Sequence, residues 1–239
     1  MNALISLRGI GKVFATEQLQ THALSNIDLD IQQGEFVSIC GPSGCGKSTL
    51  LSILGLLTPA SSGQYQLAGQ DVAALSFDMA ARFRNQHIGF VFQAFNLIDE
   101  LTVAGNVALP LKYQQPKLSQ QAIQSRVQAC LQQVGMVHRA AHFPKQLSGG
   151  QQQRVAIARA LVTKPSILLV DEATGNLDSK SGDAVMQLIA NLHAEGSTIC
   201  MVTHDTRYAD LASRQVHLFD GELLGMSHSL GRTHLQGVK

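Results

Sequence analysis

The chain has few charges, few cysteines and no long apolar run, and each shortage narrows what it can be. Only 15% of its 239 residues are charged and the net charge is +1, with no basic run, so the composition gives no sign of a nucleic-acid-binding surface. No apolar stretch approaches the roughly 20 residues that a membrane helix needs. The N-terminus carries Arg8 and Lys12 instead of an apolar signal core. We therefore expect a soluble chain without a secretory signal.

The cysteines exclude a simple metal site of the zinc-finger kind. Cys40, Cys45, Cys130 and Cys200 have no metal-ligand spacing, which favours buried or incidental thiols in a reducing compartment. No internal repeat is present. With 45% hydrophobic residues, the chain can bury the core of one large domain.

What the sequence does have is a stretch that matches the phosphate-binding pattern G-x-x-x-x-G-K-[ST]. Its residues are Gly41, Pro42, Ser43, Gly44, Cys45, Gly46, Lys47, Ser48 and Thr49. An apolar run at 35–40 predicts a buried strand before the loop, and 50–54 predicts helical turns after it, as the motif requires. The alternative is a glycine-rich turn that matches the pattern by chance, and such a turn would require neither the strand before it nor the helix after it.

In that setting each residue type has a chemical purpose. The glycines let backbone N–H groups turn toward phosphate oxygens, and the helix N-terminus adds partial positive charge. Lys47 would reach the β- and γ-phosphates, and the Ser48 hydroxyl suits Mg²⁺. The sequence thus predicts a nucleoside triphosphate site, in which we expect the Cys45 thiol to be open to a maleimide when no nucleotide is bound.

The apolar pattern predicts an α/β fold. Strands at 4–14 and 23–31 flank a polar insert, and the clean alternation of the second predicts an antiparallel sheet with one wet face. The unbroken apolar runs at 166–170 and 198–203 are typical of parallel strands covered on both faces. A closing hairpin turns at Asp220-Gly221.

Between 97 and 162 the pattern is helical, with Ser119 as a predicted N-cap. We therefore predict a P-loop NTPase core, a mostly parallel sheet with flanking helices, joined by an N-terminal antiparallel β subdomain and an inserted helical subdomain. The whole forms one domain over residues 1–224, and 225–239 is predicted to be a loose tail.

Two carboxylates, Asp171 and Glu172, end the apolar strand at 166–170. Ligand crevices of α/β sheets lie at such strand ends. Solvated surface acids are the alternative, but beside a phosphate loop the pair suits a division of labour. Asp171 would support Mg²⁺ and Glu172 would polarise an attacking water.

The run Leu-Ser-Gly-Gly-Gln at 147–151, just upstream of a strand that ends in Asp-Glu, resembles the signature of the ATP-binding cassette (ABC) family. Other landmarks follow in family order: Gln93 after a strand resembles the Q-loop, 175–178 resembles the D-loop, and His204 resembles the switch histidine. The resemblance runs from about Ile5 to Leu224. Alone, each could be a cap, a turn or polar filler; the ordered set favours the family.

The resemblance implies an ATPase that uses ATP and Mg²⁺ and works as a head-to-tail dimer with a second copy of itself. Ser148, Gly149 and Gly150, with Gln151 in the same signature, would meet the γ-phosphate of the ATP bound to the partner copy.

The remaining landmarks carry further implied roles. Gln93 would touch Mg²⁺ or the water and report to a membrane subunit, and His204 would hold the γ-phosphate. Asp178 would link the two sites of the dimer. Phe14 lies where many cassettes stack an aromatic ring on adenine, although a core aromatic would look the same.

The segments 174–178, 16–21 and 92–97 resemble the macrolide-efflux and lipoprotein-release cassettes. Ala173 and Ala94 depart from the proline and glutamine common there. This implies a subunit peripheral to the cytoplasmic face of the bacterial inner membrane, which powers export or extraction through a separate transmembrane permease. We expect exposed Phe95 and Leu97 to contact that permease.

Rival interpretations differ in class. An ATP-gated regulatory cassette that controls a membrane partner without transport fits the same residues. A DNA-repair or translation cassette is disfavoured by the absence of long insertions, and a GTPase by the absence of an Asn-Lys-x-Asp motif. No nucleic-acid partner is expected, and nothing in the residues identifies a transported substrate.

Overall fold

Two β-sheets organise the part of the chain that the computed structural model describes, residues 3–15 and 20–228. The strands are β1 (Ile5–Ala15), β2 (Gln20–Ile31), β3 (Phe36–Cys40), β4 (Ser62–Leu67), β5 (Gln70–Asp71), β6 (Ile88–Val91), β7 (Ile167–Asp171), β8 (Ile199–Val202), β9 (Arg214–Phe219) and β10 (Glu222–His228). The first sheet has the order β2-β1-β4-β5 and the second β10-β9-β3-β8-β7-β6.

The first sheet is antiparallel, as the alternation in β2 predicted. Ile27, Leu29 and Ile31 are buried, whereas Asp30 faces outward and pairs with Arg8 at 2.8 Å. The predicted polar insert at 16–21 is wrong at its end, because β2 already begins at Gln20; positions 16–19 lie outside the described residues.

The second sheet is parallel from β9 through β6, and only β10 runs antiparallel. Successive side chains of a strand point to opposite faces, so β7 serves two cores. Ile167 and Leu169 pack in the cluster shared with the antiparallel sheet. Leu168 and Val170 pack in the cluster formed with the helices of the other face. This confirms the predicted P-loop NTPase fold.

The helices lie close to the predicted positions. They are α1 (Lys47–Leu54), α2 (Phe77–His87), α3 (Val103–Ala108), α4 (Gln120–Gln133), α5 (Gly149–Leu161), α6 (Ser179–Ala194) and α7 (Thr206–Ala209), with 3-10 turns at Leu109–Tyr113, Val137–Arg139 and Pro144–Gln146. Ser119 caps α4 as predicted, because its hydroxyl accepts the Ala122 N–H at 3.2 Å. Among the described residues, no helix combines the length and apolar character that crossing a membrane requires.

Helices α3, α4 and α5 pack on one another, and α5 also packs on β6 of the main sheet. A fully buried amide pins the entry to this helical region. Asn106 accepts the Ile98 N–H at 2.7 Å, and its amide nitrogen donates to the carbonyls of Ile98, Leu101 and Thr102. No sequence pattern predicted this set of hydrogen bonds around Asn106.

The predicted loose tail starts too early. Strand β10 pairs with β9 as far as His228, so 225–228 belong to the sheet. Residues 229–239 lie outside the described residues.

Candidate functional site

The phosphate loop joins β3 to α1, as its flanks predicted. Gly41 and Gly46 have φ of 155° and 104°, and a Cβ there would lie 2.1 Å from the Leu218 carbonyl oxygen and 2.6 Å from that of Ala23. Only glycine fits both positions. Because Gly46 is the N-cap of α1 and has no side chain to accept a bond, the first-turn N–H groups remain available to an anion.

Lys47 lies folded over this loop and is largely buried. Its ammonium donates to the carbonyls of Gly41 at 2.8 Å and Pro42 at 2.7 Å. The cation is therefore held over the backbone that would cradle the phosphates.

The prediction that a maleimide reaches Cys45 is wrong. The side chain is buried among apolar residues, and its sulfur would lie 2.8 Å from a Cβ at Gly41. The backbone of Cys45 forms part of the phosphate loop, whereas its side chain points into the core beneath the loop.

The two carboxylates meet at the end of β7. Partial burial and the neighbouring charge of Glu172 raise the pKa of Asp171, and Lys47 opposes that rise. A divalent cation would relieve the crowding of negative charge. Since α1, with Ser48 in its first turn, packs against β7, a hydroxyl and a carboxylate come to the same edge.

These donors fit Mg²⁺, which uses one or two protein oxygens and leaves its other positions to phosphates and water. The described part of the chain contains no cluster of three or more His, Cys, Asp or Glu side chains that could hold a metal ion by themselves. Ser48 and Asp171 would thus share the ion with a bound triphosphate.

Glu172 and His204 come together because β7 and β8 are neighbouring parallel strands. The Glu172 Oε1 and His204 Nδ1 atoms are 3.2 Å apart, with the histidine the more exposed of the two. Glu172 has a φ of 41°, uncommon for a side chain of its size. Its N–H donates to the Val202 carbonyl at 3.0 Å, and its carbonyl accepts the Gly175 N–H at 2.9 Å.

Glu172 and His204 line one cleft with the phosphate loop; its volume is about 700 Å³, within the usual range for a small-ligand site, and Asp171 is not among its described lining residues. The cleft residues are Thr21, His22, Ala23, Ser43, Gly44, Gly46, Lys47, Ser48, Thr49, Glu172, His204, Asp220 and Gly221. Sequence reasoning missed the β2 residues and the Asp220-Gly221 turn. The Asp-Gly dipeptide signalled the turn but not its place beside the loop, where the Gly221 N–H donates to the Cys45 carbonyl at 3.1 Å.

Phe14 lies at the end of β1, paired with Thr21, and is 48% exposed. It is not among the described cleft-lining residues, although its strand neighbour Thr21 is. The Lys12 ammonium sits 5.0 Å from the ring centroid, so one face of the ring is occupied. The other face is the one that an adenine could stack on.

The signature residues lie elsewhere. Ser148 caps α5 and forms a capping box with Gln151, whose side chain accepts the Ser148 N–H at 3.0 Å. Gly149 and Gly150 face α6 and the D-loop closely, since a Cβ at Gly150 would lie 3.0 Å from that of Ser181. Within the described chain, none of the four signature residues lines the cleft.

Asp178 and Gln93 also lie outside the cleft of this chain. Asp178 caps α6 by accepting the Ser181 N–H at 3.0 Å, and hydrogen bonding to the Ser181 side chain, together with this backbone bond, lowers the pKa of the Asp178 carboxyl. Gln93 packs against the D-loop: its carbonyl accepts the Asn176 amide at 3.0 Å, and Gly175 leaves room for its side chain. The expected exposure of Phe95 and Leu97 is wrong, because both are half-buried.

A family model described as "ABC transporter" matches residues 24–175. The macrolide export ATP-binding/permease protein MacB of Bradyrhizobium diazoefficiens is 47% identical over 91% of this chain. This chain spans about a third (33%) of that relative's length. The ABC transporter ATP-binding protein MJ1508 of Methanocaldococcus jannaschii, itself uncharacterized, is 46% identical and is covered over 98% of its length, with 92% of this chain.

Among solved structures, the chain is similar to the ATP-binding cassette MJ0796 in a dimeric post-hydrolysis state bound to ADP and phosphate. The TM-score is 0.87 at 42% identity, over 95% of this chain and all of that one.

Proposed function

The chain belongs to the ABC transporter family as an ATP-hydrolysing cassette, and from that premise we propose that it drives export through a transmembrane permease. The observation that carries the proposal is the cleft in which the phosphate loop, Glu172 and His204 converge. The MacB relatives are named as macrolide exporters that contain their permease. For this chain the permease is a proposed partner, and its place in a separate polypeptide stays a prediction.

We assign the chemistry to the residues at this edge of the sheet. The loop N–H groups and Lys47 bind the triphosphate, and Ser48 and Asp171 hold Mg²⁺, which neutralises phosphate charge when bound. Glu172 accepts a proton as water attacks the γ-phosphorus, and the bond to the ADP oxygen breaks. His204, 3.2 Å from Glu172, orients that carboxylate and reaches toward the departing phosphoryl group.

A second copy completes each site. Ser148 is exposed at the start of α5, where helix N–H groups favour an anion. Since the signature does not line its own chain's cleft, we propose that Ser148, Gly149 and Gly150 close the cleft of a partner copy, with Asp178 at the junction. Gln151 supports this arrangement by capping the signature helix.

The permease would dock in a groove between α2, the Leu109–Tyr113 turn and the end of α5. This groove, of about 830 Å³, is bordered by the exposed side chains of Leu57 and Tyr113 and by Arg82 and Lys112. Binding to the permease would place the cassette at the cytoplasmic face of the membrane, and this location is part of the same proposal.

Hydrolysis is tested first with the purified cassette. Glu172→Gln keeps size and hydrogen bonding but removes the base, so kcat should fall by about 10²–10⁴-fold while ATP still binds. Glu100→Gln, the same change at an exposed position, should match the wild type. Wild-type turnover by Glu172→Gln would overturn the assigned chemistry.

The docking groove is tested by purifying the cassette with its membrane partner from detergent-solubilised membranes and identifying that partner by mass spectrometry. Tyr113→Asp should lose the partner while its basal hydrolysis stays intact. Leu224→Asp, at 68% exposure against 69% for Tyr113 but on β10, should retain it. Retention by both variants would place the permease elsewhere.

A further inference from the structure

The chain beyond β6 makes a turn that its residue types do not favour. Phe95 and Asn96 both adopt left-handed backbone conformations, with φ of 57° and 51°. Asparagine tolerates this region, but for a bulky aromatic residue it is an outlier that persists only when its surroundings hold it. We call residues 94–97 the Q-loop turn.

One side chain of the signature helix grips this turn. The Arg159 guanidinium, near the end of α5, donates from Nη2 to the Phe95 carbonyl at 2.8 Å and from Nη1 to the Asn96 carbonyl. The Arg159 side chain is half-buried, and burial lowers its pKa. Hydrogen bonds from a charged donor are stronger than neutral ones.

Helix α5 also contacts the segment around this turn at two further points. Gln153, fully buried, directs its amide nitrogen to the Phe92 carbonyl at 3.4 Å, and its side-chain oxygen has no hydrogen-bond partner among the described residues. At the start of α5, the Phe95 ring would lie 3.6 Å from a Cβ at Gly149. Helix α5 therefore contacts the turn near both of its ends, at Gly149 and Arg159, and contacts the residue Phe92 just before the turn through Gln153.

We propose that Arg159 is a positioning residue for hydrolysis. By holding the left-handed turn, it keeps Gln93 at the D-loop and so sets the Mg²⁺ concentration at which hydrolysis is half-maximal. The inference rests on the proposed function, because it assumes that Gln93 acts at the metal or the water. Arg159 and Asn96 also line the docking groove, so a permease segment bound there would contact the Arg159 hydrogen bonds to the turn directly.

The first experiment compares Arg159→Gln with Arg154→Gln in the purified cassette. Arg154 lies on the same helix but bonds the Val134 carbonyl, at 3.5 Å. Arg159→Gln loses two charge-assisted bonds to the turn but no metal ligand, so it should raise the Mg²⁺ concentration for half-maximal hydrolysis by about tenfold, lower kcat and leave KM for ATP nearly unchanged. Arg154→Gln should not move the Mg²⁺ midpoint. An unmoved midpoint in Arg159→Gln would overturn the proposal.

A rescue separates positioning from general stability. Glycine adopts a left-handed φ without a steric penalty, so Asn96→Gly added to Arg159→Gln should recover most of the Mg²⁺ response. Ala94→Gly, two residues earlier and outside the left-handed region, should not. Equal rescue by both substitutions, or by neither, would contradict the proposal that Arg159 acts by holding the left-handed turn. If Arg159→Gln fails to fold, Arg159→Lys, which keeps the charge without the fork, should give a smaller shift in the same direction.

A readout without turnover distinguishes this inference from the proposed function. The chain contains no tryptophan, so Phe95→Trp places a single fluorophore in the turn. Without nucleotide, adding Arg159→Gln should shift its emission to longer wavelength, because the ring leaves Gly149 for water. Identical emission with and without Arg159 overturns the inference even if hydrolysis is normal; shifted emission in a cassette that cannot hydrolyse ATP would instead count against the proposed function alone.

Discussion

At the residue scale, Glu172 combines a chemical group with a strained backbone. A left-handed φ at such a residue costs about 1–3 kcal/mol, and both of its peptide groups are tied, one to β8 and the other to the D-loop. The direction of its carboxylate therefore depends on the surrounding strands rather than on its own preference. His204 is the side chain that meets it.

Removing that histidine should slow chemistry more than binding. His204→Ala deletes the group 3.2 Å from Glu172 Oε1, so kcat should fall by about tenfold, less than the ~10²–10⁴-fold of a direct acid–base group because His204 acts by orienting Glu172. ATP affinity, set mainly by the phosphate loop, should change little. Steady-state hydrolysis and nucleotide titration measure the two, with His138→Ala at an exposed position as control. Unchanged kcat would exclude the orienting role.

Phe14 offers one open ring face to a base. Phe14→Ala should weaken ATP binding by about 1–3 kcal/mol, the range for one base–aromatic stack, and Phe14→Tyr should be nearly silent. Fluorescent nucleotide titration is the measurement, and Phe77→Ala, another exposed ring, is the control. Normal affinity in Phe14→Ala would mean that adenine rests on another side chain.

At the element scale, what was predictable follows from how local each signal is. The phosphate loop, its strand and its helix were predictable because contiguous residues carry the motif. The Cys45 side chain was misplaced because its direction depends on space beside Gly41. The β2 wall of the cleft and the Asp220-Gly221 turn were missed because long-range packing brings them to the loop.

The turn between β9 and β10 should therefore affect nucleotide binding through the backbone. At Gly221, φ is 80° and a Cβ would lie 2.9 Å from the Ala23 carbonyl oxygen. Gly221→Ala should destabilise the fold by more than the ~1–2 kcal/mol of left-handed strain alone and should weaken ATP binding.

Gly196→Ala is the matched control. Its φ is 100°, and no atom of the residues that the structure describes lies within 4 Å of the added Cβ, so only the strain should appear and ATP binding should be normal. Urea denaturation and nucleotide titration give the two quantities. Equal effects at the two glycines would show that the turn does not shape the cleft.

At the scale of the whole molecule, the signature and the cleft are separate surfaces of one chain. Glu172→Gln removes a negative charge that would face the γ-phosphate, so we expect this variant to elute as a monomer without nucleotide and as a dimer with MgATP. Ser148→Arg in the same background should abolish the dimer by placing bulk at the signature.

Gln121→Arg, which adds the same bulk and charge on the exposed polar face of α4, should leave that dimer intact. Size-exclusion chromatography with light scattering distinguishes the outcomes. A Glu172→Gln variant that stays monomeric at saturating MgATP would contradict the head-to-tail arrangement.

The cleft takes its walls from Thr21–Ala23 near one end of the chain and from Asp220-Gly221 near the other. Contacts so distant in sequence form only after the intervening loop-closure entropy has been overcome. A chain emerging from the ribosome therefore has its phosphate loop about 170 residues before the opposite wall exists. Nucleotide capture by this cleft therefore has to wait until the Asp220-Gly221 turn has been synthesised, and it reports that this turn has docked beside the phosphate loop.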